Sequence, residues 1–240
     1  DGKKIAFSRF EDGGCKVVIA ALDGSEAEDL LGSCGRYGAQ LKWSPSGEVY
    51  FANSTLPRSP QKIFKVSPSD GQITEITDGK TGIGDYTYAL SVDGTKLAYM
   101  RTTHWNHSDL WVKDLETGED QLVYQFATWF FDLAFDATGE NIFFTADPNR
   151  HTLERVNIRS GKRHTVFRQE KSIGDFTALP AGGLIATQAS WDMNIYSAPS
   201  RADTFRSLGN LGEKLVFSTR ADWQPRLSPD GMTLAFLSDR

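Results

Sequence analysis

The 240-residue chain has no apolar run near the ~18 residues that span a bilayer, no charged-then-apolar leader at its start, and only two cysteines and four histidines. No stretch longer than about a dozen residues keeps the 3.6-residue apolar stripe of an amphipathic helix. Positive charge is in deficit: 26 Lys and Arg stand against 31 Asp and Glu, a net charge of −5. Binding a phosphate backbone needs a basic face, so nucleic-acid contact by this chain is not expected. Catalytic signatures are missing too. There is no G-x-S-x-G, no H-E-x-x-H, no G-x-x-x-x-G-K-[ST] and no EF-hand loop. Catalysis requires a nucleophile held by a base, a metal, or paired carboxylates in a cleft, so a non-catalytic chain without cofactors is expected. What the sequence does have is strand chemistry, with 39% hydrophobic and 12% aromatic residues, enough for a core.

Those residues recur in register. Trp43-Ser44-Pro45-Ser46-Gly47 precedes Val49-Tyr50-Phe51, and Leu90-Ser91-Val92-Asp93-Gly94 precedes Leu97-Ala98-Tyr99. Phe135-Asp136-Ala137-Thr138-Gly139 leads into Ile142-Phe143-Phe144, and Leu179-Pro180-Ala181-Gly182-Gly183 into Leu184-Ile185-Ala186. Leu227-Ser228-Pro229-Asp230-Gly231 leads into Leu234-Ala235-Phe236, and Asp1-Gly2 before Ile5-Ala6-Phe7 is the tail of the same unit. The glycines at 2, 47, 94, 139, 183 and 231 are spaced by 45, 47, 45, 44 and 48 residues. A second turn, at Gly24, Gly71, Gly118 and Gly161, follows each repeat glycine by 22 to 24 residues. Pro pre-sets a turn, Ser and Asp bond back to local backbone, and Gly supplies positive φ. The flanking β-branched and aromatic runs favour strands.

Each period therefore holds four strands, a to d, with tight turns at a–b and c–d. A four-stranded unit recurring every ~45 residues is a propeller blade. The predicted fold class is an all-β, β-propeller of four-stranded blades, about five in this segment, with six copies of strand b and incomplete ends. The alternative, a β-sandwich, has no reason to keep two turns in phase. One propeller domain or fragment is expected over 1–240, with blades near 1–35, 36–83, 84–128, 129–173, 174–220 and a partial 221–240. Blade five carries a longer segment, 200–212, read as an insertion before its strand d. Since the first residues already lie inside a repeat, the chain is expected to be a piece of a longer protein.

The pattern S-P-D-G-x-x-[LI]-A-F-x-S, complete at Ser228–Ser238 and partial at Asp1–Arg9, resembles TolB-type propeller repeats. The stretch Ser218–Gly231 is similar to the C-terminal propellers of bacterial transmembrane regulators related to CadC. The repeats at 93–94, 136–139 and 180–183 depart from S-P-D-G. The resemblance implies an extracytoplasmic sensor domain, preceded elsewhere by a winged helix and a membrane segment, in the bacterial periplasm or tethered to the inner membrane. TolB-like repeats also precede peptidase domains of the prolyl oligopeptidase type and occur in TolB itself. A substrate gate and an envelope protein-interaction domain are therefore the competing readings, and the flanking domains would discriminate among them.

Three constellations are candidate sites. In a propeller the residues starting strand a ring the channel mouth. Here they are Tyr37, Asp85 and Tyr86, Trp129 and Phe130, Asp175 and Phe176, and Asp222 and Trp223. Aromatics offer large contact area and the carboxylates attract basic or amine ligands, so a protein or small-molecule partner is expected at this face. The alternative is that the rings pack between blades and the acids satisfy backbone. Cys15 and Cys34 flank the hairpin centred on Asp23-Gly24, where position 15 falls opposite about 33. A disulfide is within reach there and suits an oxidising compartment; two half-buried thiols are the alternative. His104 and His107 form H-x-x-H, and with Asp109 the two imidazoles could ligate zinc or copper. That spacing suits a helical turn, and read as a loop between strands b and c the pair is expected to be solvated, with no metal.

Overall fold

The computed structural model describes residues 2–11, 14–34, 40–54, 59–80, 82–104, 107–126, 132–145, 147, 150–179, 181–189, 193–197, 213–216 and 221–238. All regular structure among them is β, so no helix is long and apolar enough to cross a membrane. The chain falls into two compact units, 1–188 and 189–240.

The first unit is a series of antiparallel meanders. Strands β1 (Lys4–Glu11), β2 (Gly14–Ala21) and β3 (Glu28–Leu31) form a three-stranded sheet. A second sheet orders β4 (Leu41–Trp43), β5 (Val49–Asn53), β6 (Lys62–Val66) and β7 (Ile73–Glu75). A third orders β8 (Gly84–Leu90), β9 (Lys96–His104), β10 (His107–Asp114) and β11 (Asp120–Phe126). The fourth holds β12 (Leu133–Phe135), β13 (Asn141–Thr145), β14 (Thr152–Asn157) and β15 (Arg163–Arg168), followed by a pair of β16 (Ser172–Ala178) with β17 (Leu184–Ala189). In the second unit β18 (Tyr196–Ser197) pairs with β19 (Glu213–Lys214), and β20 (Asp222–Leu227) with β21 (Leu234–Ser238). The insertion expected at 200–212 lies outside the described residues.

The repeated turn explains the repeated sequence. Gly47, Gly94, Gly139 and Gly231 each donate an N–H to the carbonyl three residues back, at Ser44, Ser91, Asp136 and Ser228. The side-chain oxygen of that same residue accepts the N–H that opens the next strand: Glu48 to Ser44 at 3.0 Å, Lys96 to Ser91 at 2.9 Å, Asn141 to Asp136 at 3.2 Å and Thr233 to Ser228 at 2.9 Å. In the Leu179 repeat the position has no side-chain oxygen. There Gly182, not Gly183, makes the turn bond, and both glycines take positive φ.

Between sheets the buried side chains form apolar clusters. Tyr50, Ile63, Tyr88, Leu97 and Tyr99 fill the space between the second and third sheets. Leu110, Val112, Phe126, Leu133, Ile142 and Phe144 fill that between the third and fourth. Tyr88, wholly buried, donates its hydroxyl to the Tyr50 carbonyl at 2.7 Å. Gly84, at the start of β8, has φ +92° and lies so close to the Gln61 backbone that a Cβ there would sit 2.3 Å from its carbonyl oxygen. No other residue fits that approach.

Candidate functional site on the inner strands

Strand a of the second to fourth sheets, and of the β16–β17 pair, is β4, β8, β12 and β16. Strands β4 and β12, the ends of β8 and β16, and the turns after β4 and β8 line a solvent-open cavity of about 460 Å³, with residues including Lys42, Trp43, Pro45, Ser91, Phe135 and Thr177. Trp43 and Val92 are exposed at 38% and 43%, so its wall is partly aromatic and apolar in contact with water. Lys42 is its one charged lining residue among those described.

Behind this wall, just before β12, is a buried carboxylate. Asp132, 4% exposed, accepts N–H bonds from Leu133 at 2.9 Å and from Phe176 on β16 at 2.6 Å. It thereby ties two inner strands together. Burial pushes its carboxyl pKa up, against the opposing pull of Lys42 and of the two N–H groups. Asp132 was not among the predicted mouth residues. A signal was present: Asp85, Asp132, Asp175 and Asp222 all fall seven to nine residues before a repeat glycine.

The residues predicted to ring the mouth meet different fates. Asp85 is wholly buried and gripped by Arg101, Nε to Oδ1 and Nη2 to Oδ2 both at 2.9 Å. Arg101 also reaches Asp78 at 2.7 Å and lies over the Tyr99 and Trp111 rings, 5.4 and 5.7 Å from their centroids. Asp85 thus fastens β8 to β9 within one sheet rather than presenting charge to a ligand. Tyr86 is half-buried, and burial raises its hydroxyl pKa. Phe176 is a core side chain, packed with Ala134, Leu153 and Ile173, because its strand turns that face to β12 and β14. Its neighbour Asp175 is exposed. In the second unit Asp222 is buried, its N–H bonded to the Met193 carbonyl, and Trp223 is half-buried. Tyr37, Trp129 and Phe130 lie outside the described residues.

Cys15, within β2, is bonded to Cys34, with Cα atoms 5.0 Å apart. The hairpin register shifts between Val17 and Val18, so Leu30 is an extra residue on the β3 side. That bulge moves Cys34 toward Cys15, and the Cys34 N–H bonds the Cys15 carbonyl at 2.8 Å. His104 and His107 are not in a loop: they end β9 and begin β10. Among the described residues no group of three or more His, Cys, Asp or Glu side chains is placed to hold a metal.

No family model matches the chain, and no curated protein matches it. Among solved structures it is similar to TolB from Acinetobacter baumannii, with 16% identity and a TM-score of 0.64 over 97% of this chain and 57% of that one. A TolB-designated protein from Agrobacterium tumefaciens matches at 15% identity and a TM-score of 0.62, over 78% and 70% of the two chains. An oligogalacturonate lyase in complex with manganese matches at 19% identity and 0.58, over 96% and 66%. The chain thus spans little more than half the length of the Acinetobacter protein. Similarity at this identity carries the fold alone: a TolB-like β-propeller architecture.

Proposed function

We propose that this chain is a recognition domain rather than a catalyst, taking a protein segment or small ligand at the cavity on its inner strands. The cavity carries the reading. About 460 Å³ falls within the range of ligand sites, and strands from four separate sheets wall it. An exposed Trp43 beside Pro45 and Val92 is the kind of aromatic anchor that dominates interfaces. Ser91, Thr177 and Lys42 supply the few polar groups that orient a ligand. The amine-seeking mouth expected from the strand-a carboxylates is narrowed to Asp175 within the first unit, since Asp85 is spent on Arg101.

Within that reading we assign the chain to the extracytoplasmic sensor part of a CadC-like bacterial regulator, held at the inner membrane by a segment outside this sequence. The Ser218–Gly231 stretch supports the assignment. So does the Cys15–Cys34 bridge, which suits an oxidising compartment. The competing readings remain a TolB-like envelope docking domain and the substrate gate of a prolyl-oligopeptidase-type peptidase. A winged helix and membrane helix upstream would favour the sensor, and a downstream hydrolase the gate.

The test fills the cavity in one variant and removes its aromatic wall in the other. Thr177→Arg and Trp43→Ala proteins, with wild type, are titrated calorimetrically against acidic peptides, basic peptides and oligogalacturonate. A ligand that binds wild type and weakens at least tenfold in both variants, at unchanged melting temperature, supports the site. A ligand that binds all three proteins equally puts recognition elsewhere. Cleavage of oligogalacturonate by wild type would end the non-catalytic reading.

A further inference from the structure

The H-x-x-H segment has a geometry that its spacing alone conceals. An i, i+3 pair shares a face on a helix, but it also spans a two-residue hairpin, where i and i+3 stand directly opposite. Here β9 ends at His104, β10 begins at His107, and the two are register partners. Directly opposite residues project from the same side of a sheet with Cβ atoms about 4.5–5.5 Å apart. Two nitrogens bound to one ion with bonds of about 2.0 Å stand about 2.9 Å apart at the square-planar angle of Cu²⁺ and about 3.3 Å apart at the tetrahedral angle of Zn²⁺. Imidazoles on adjoining strands span either distance by rotation about χ1 and χ2.

Each ring already has one nitrogen beside a polar neighbour. His107 Nε2 lies 3.4 Å from Asp109 Oδ1, and His104 Nδ1 lies 3.3 Å from Thr103 Oγ1. That leaves His107 Nδ1 as a donor, and His104 Nε2 in the tautomer whose Nδ1–H donates to Thr103. Metal-binding histidines commonly show this arrangement, in which a carboxylate or other oxygen fixes the tautomer through the second nitrogen. Asp109 is itself held, accepting from Gln125 Nε2 at 3.3 Å. The strands beneath are rigidly joined. Thr102 and Ser108 share a buried hydroxyl–hydroxyl bond of 2.7 Å, and the Ile83 N–H bonds the Thr102 carbonyl at 2.9 Å. Both rings are nevertheless exposed, His107 at 47%, so an ion can reach them without being stripped of all its water.

We propose that His104 and His107 form a two-imidazole chelate for a divalent transition-metal ion, Cu²⁺ most tightly, at the tip of the β9–β10 hairpin. Imidazole donors suit Cu, Ni and Zn, and affinity peaks at Cu²⁺ in the first-row series. No thiolate is on hand to favour Cu⁺, since both cysteines are bridged. With two protein nitrogens the remaining positions on the ion belong to water or to a partner's donor. Asp109 is a positioning residue here, not a ligand. The hairpin tip lies at the far end of β9 from Lys96, whereas the cavity lies beside the Ser91 turn that leads into Lys96, so the two sites are independent.

Cu²⁺ itself is the probe, titrated into the whole protein by calorimetry and followed by electron paramagnetic resonance. Wild type is expected to bind one ion with hyperfine splitting from two nitrogens. His104→Ala and His107→Ala each lose at least tenfold in affinity and one of the two nitrogens. Asp109→Asn weakens binding about tenfold while keeping both. His151→Ala/His164→Ala leaves affinity and spectrum unchanged. Melting temperatures of the metal-free variants stay at the wild-type value, as the substituted rings are exposed. Failure of wild type to bind, or unchanged binding in the His104 and His107 variants, overturns the proposal.

Discussion

Breaking the Cys15–Cys34 bridge should cost about 3 kcal/mol, and the structure says where. The cysteines are 19 positions apart, and closing a loop of that size removes about 3 kcal/mol of chain entropy from the unfolded ensemble. The folded side is set up to accept the link, since the strands are joined by the Cys34 N–H bond to Cys15 before any sulfur chemistry. Strand β3 is only four residues long, with its first two exposed, so the bridge secures the part of the first sheet most prone to fray. Urea unfolding of wild type in dithiothreitol and of Cys15→Ala/Cys34→Ala should show the same loss. Reductant should not shift the double variant further. Thiol titration of denatured, unreduced wild type should find none. Two free thiols, or an equal reductant shift in the double variant, would show that the bridge does not stabilise the fold.

Other substitutions probe the rest of the frame. Asp85→Ala strands Arg101, which is 11% exposed, beside an exposed Asp78; a loss of about 3–5 kcal/mol in chemical denaturation is expected, and a loss under about 1 kcal/mol would mean the pair is solvated. The turn aspartates Asp93, Asp114 and Asp230 have lowered pKa values, Asp93 to about 2, chiefly through local hydrogen bonds. A folded pKa below the unfolded one stabilises above about pH 4 and is lost as pH falls through the folded value. Urea midpoints should therefore drop between about pH 4 and 2, and less so in Asp93→Asn; identical acid profiles for the two proteins would contradict this. Gly84→Ala should unfold the protein at markedly lower temperature than Gly118→Ala, because both have positive φ but only Gly84 abuts backbone. Equal melting temperatures would show that the close approach to Gln61 relaxes freely.

Sequence reading went furthest where the chemistry is local. The Ser-x-x-Gly turn is made by atoms within five residues, so Ser44, Ser91 and Ser228 announce it in the sequence and the all-β meanders follow from it. The limits appear where partners are remote. Asp85 looked like a ligand group because Arg101, 16 residues on, is joined to it only by the β8–β9 register. Asp132 escaped notice because its partner, the Phe176 N–H, is 44 residues away on another inner strand. Phe176 enters strand a, the position expected at the mouth, but that position does not say which face meets a neighbouring sheet, and its ring packs against Ala134, Leu153 and Ile173. The cavity gathers at the ends of the inner strands rather than at their starts, since Trp43, Ser91 and Thr177 converge only once four sheets have formed. The loop expected around His104 and His107 is instead the end of β9 and the start of β10, because i, i+3 spacing serves a helix and a hairpin alike.

Recognition at the inner-strand cavity is open to a direct test by site-specific photo-crosslinking. A photoreactive benzoylphenylalanine replaces Trp43 in the full-length protein in its own cells, with the same group at exposed Glu116 on the β10–β11 turn as control. A discrete adduct from position 43, seen by intact mass, is expected; Thr177→Arg suppresses it and position 116 does not form it. No adduct at 43, or the same adducts from both positions, would contradict recognition at the cavity.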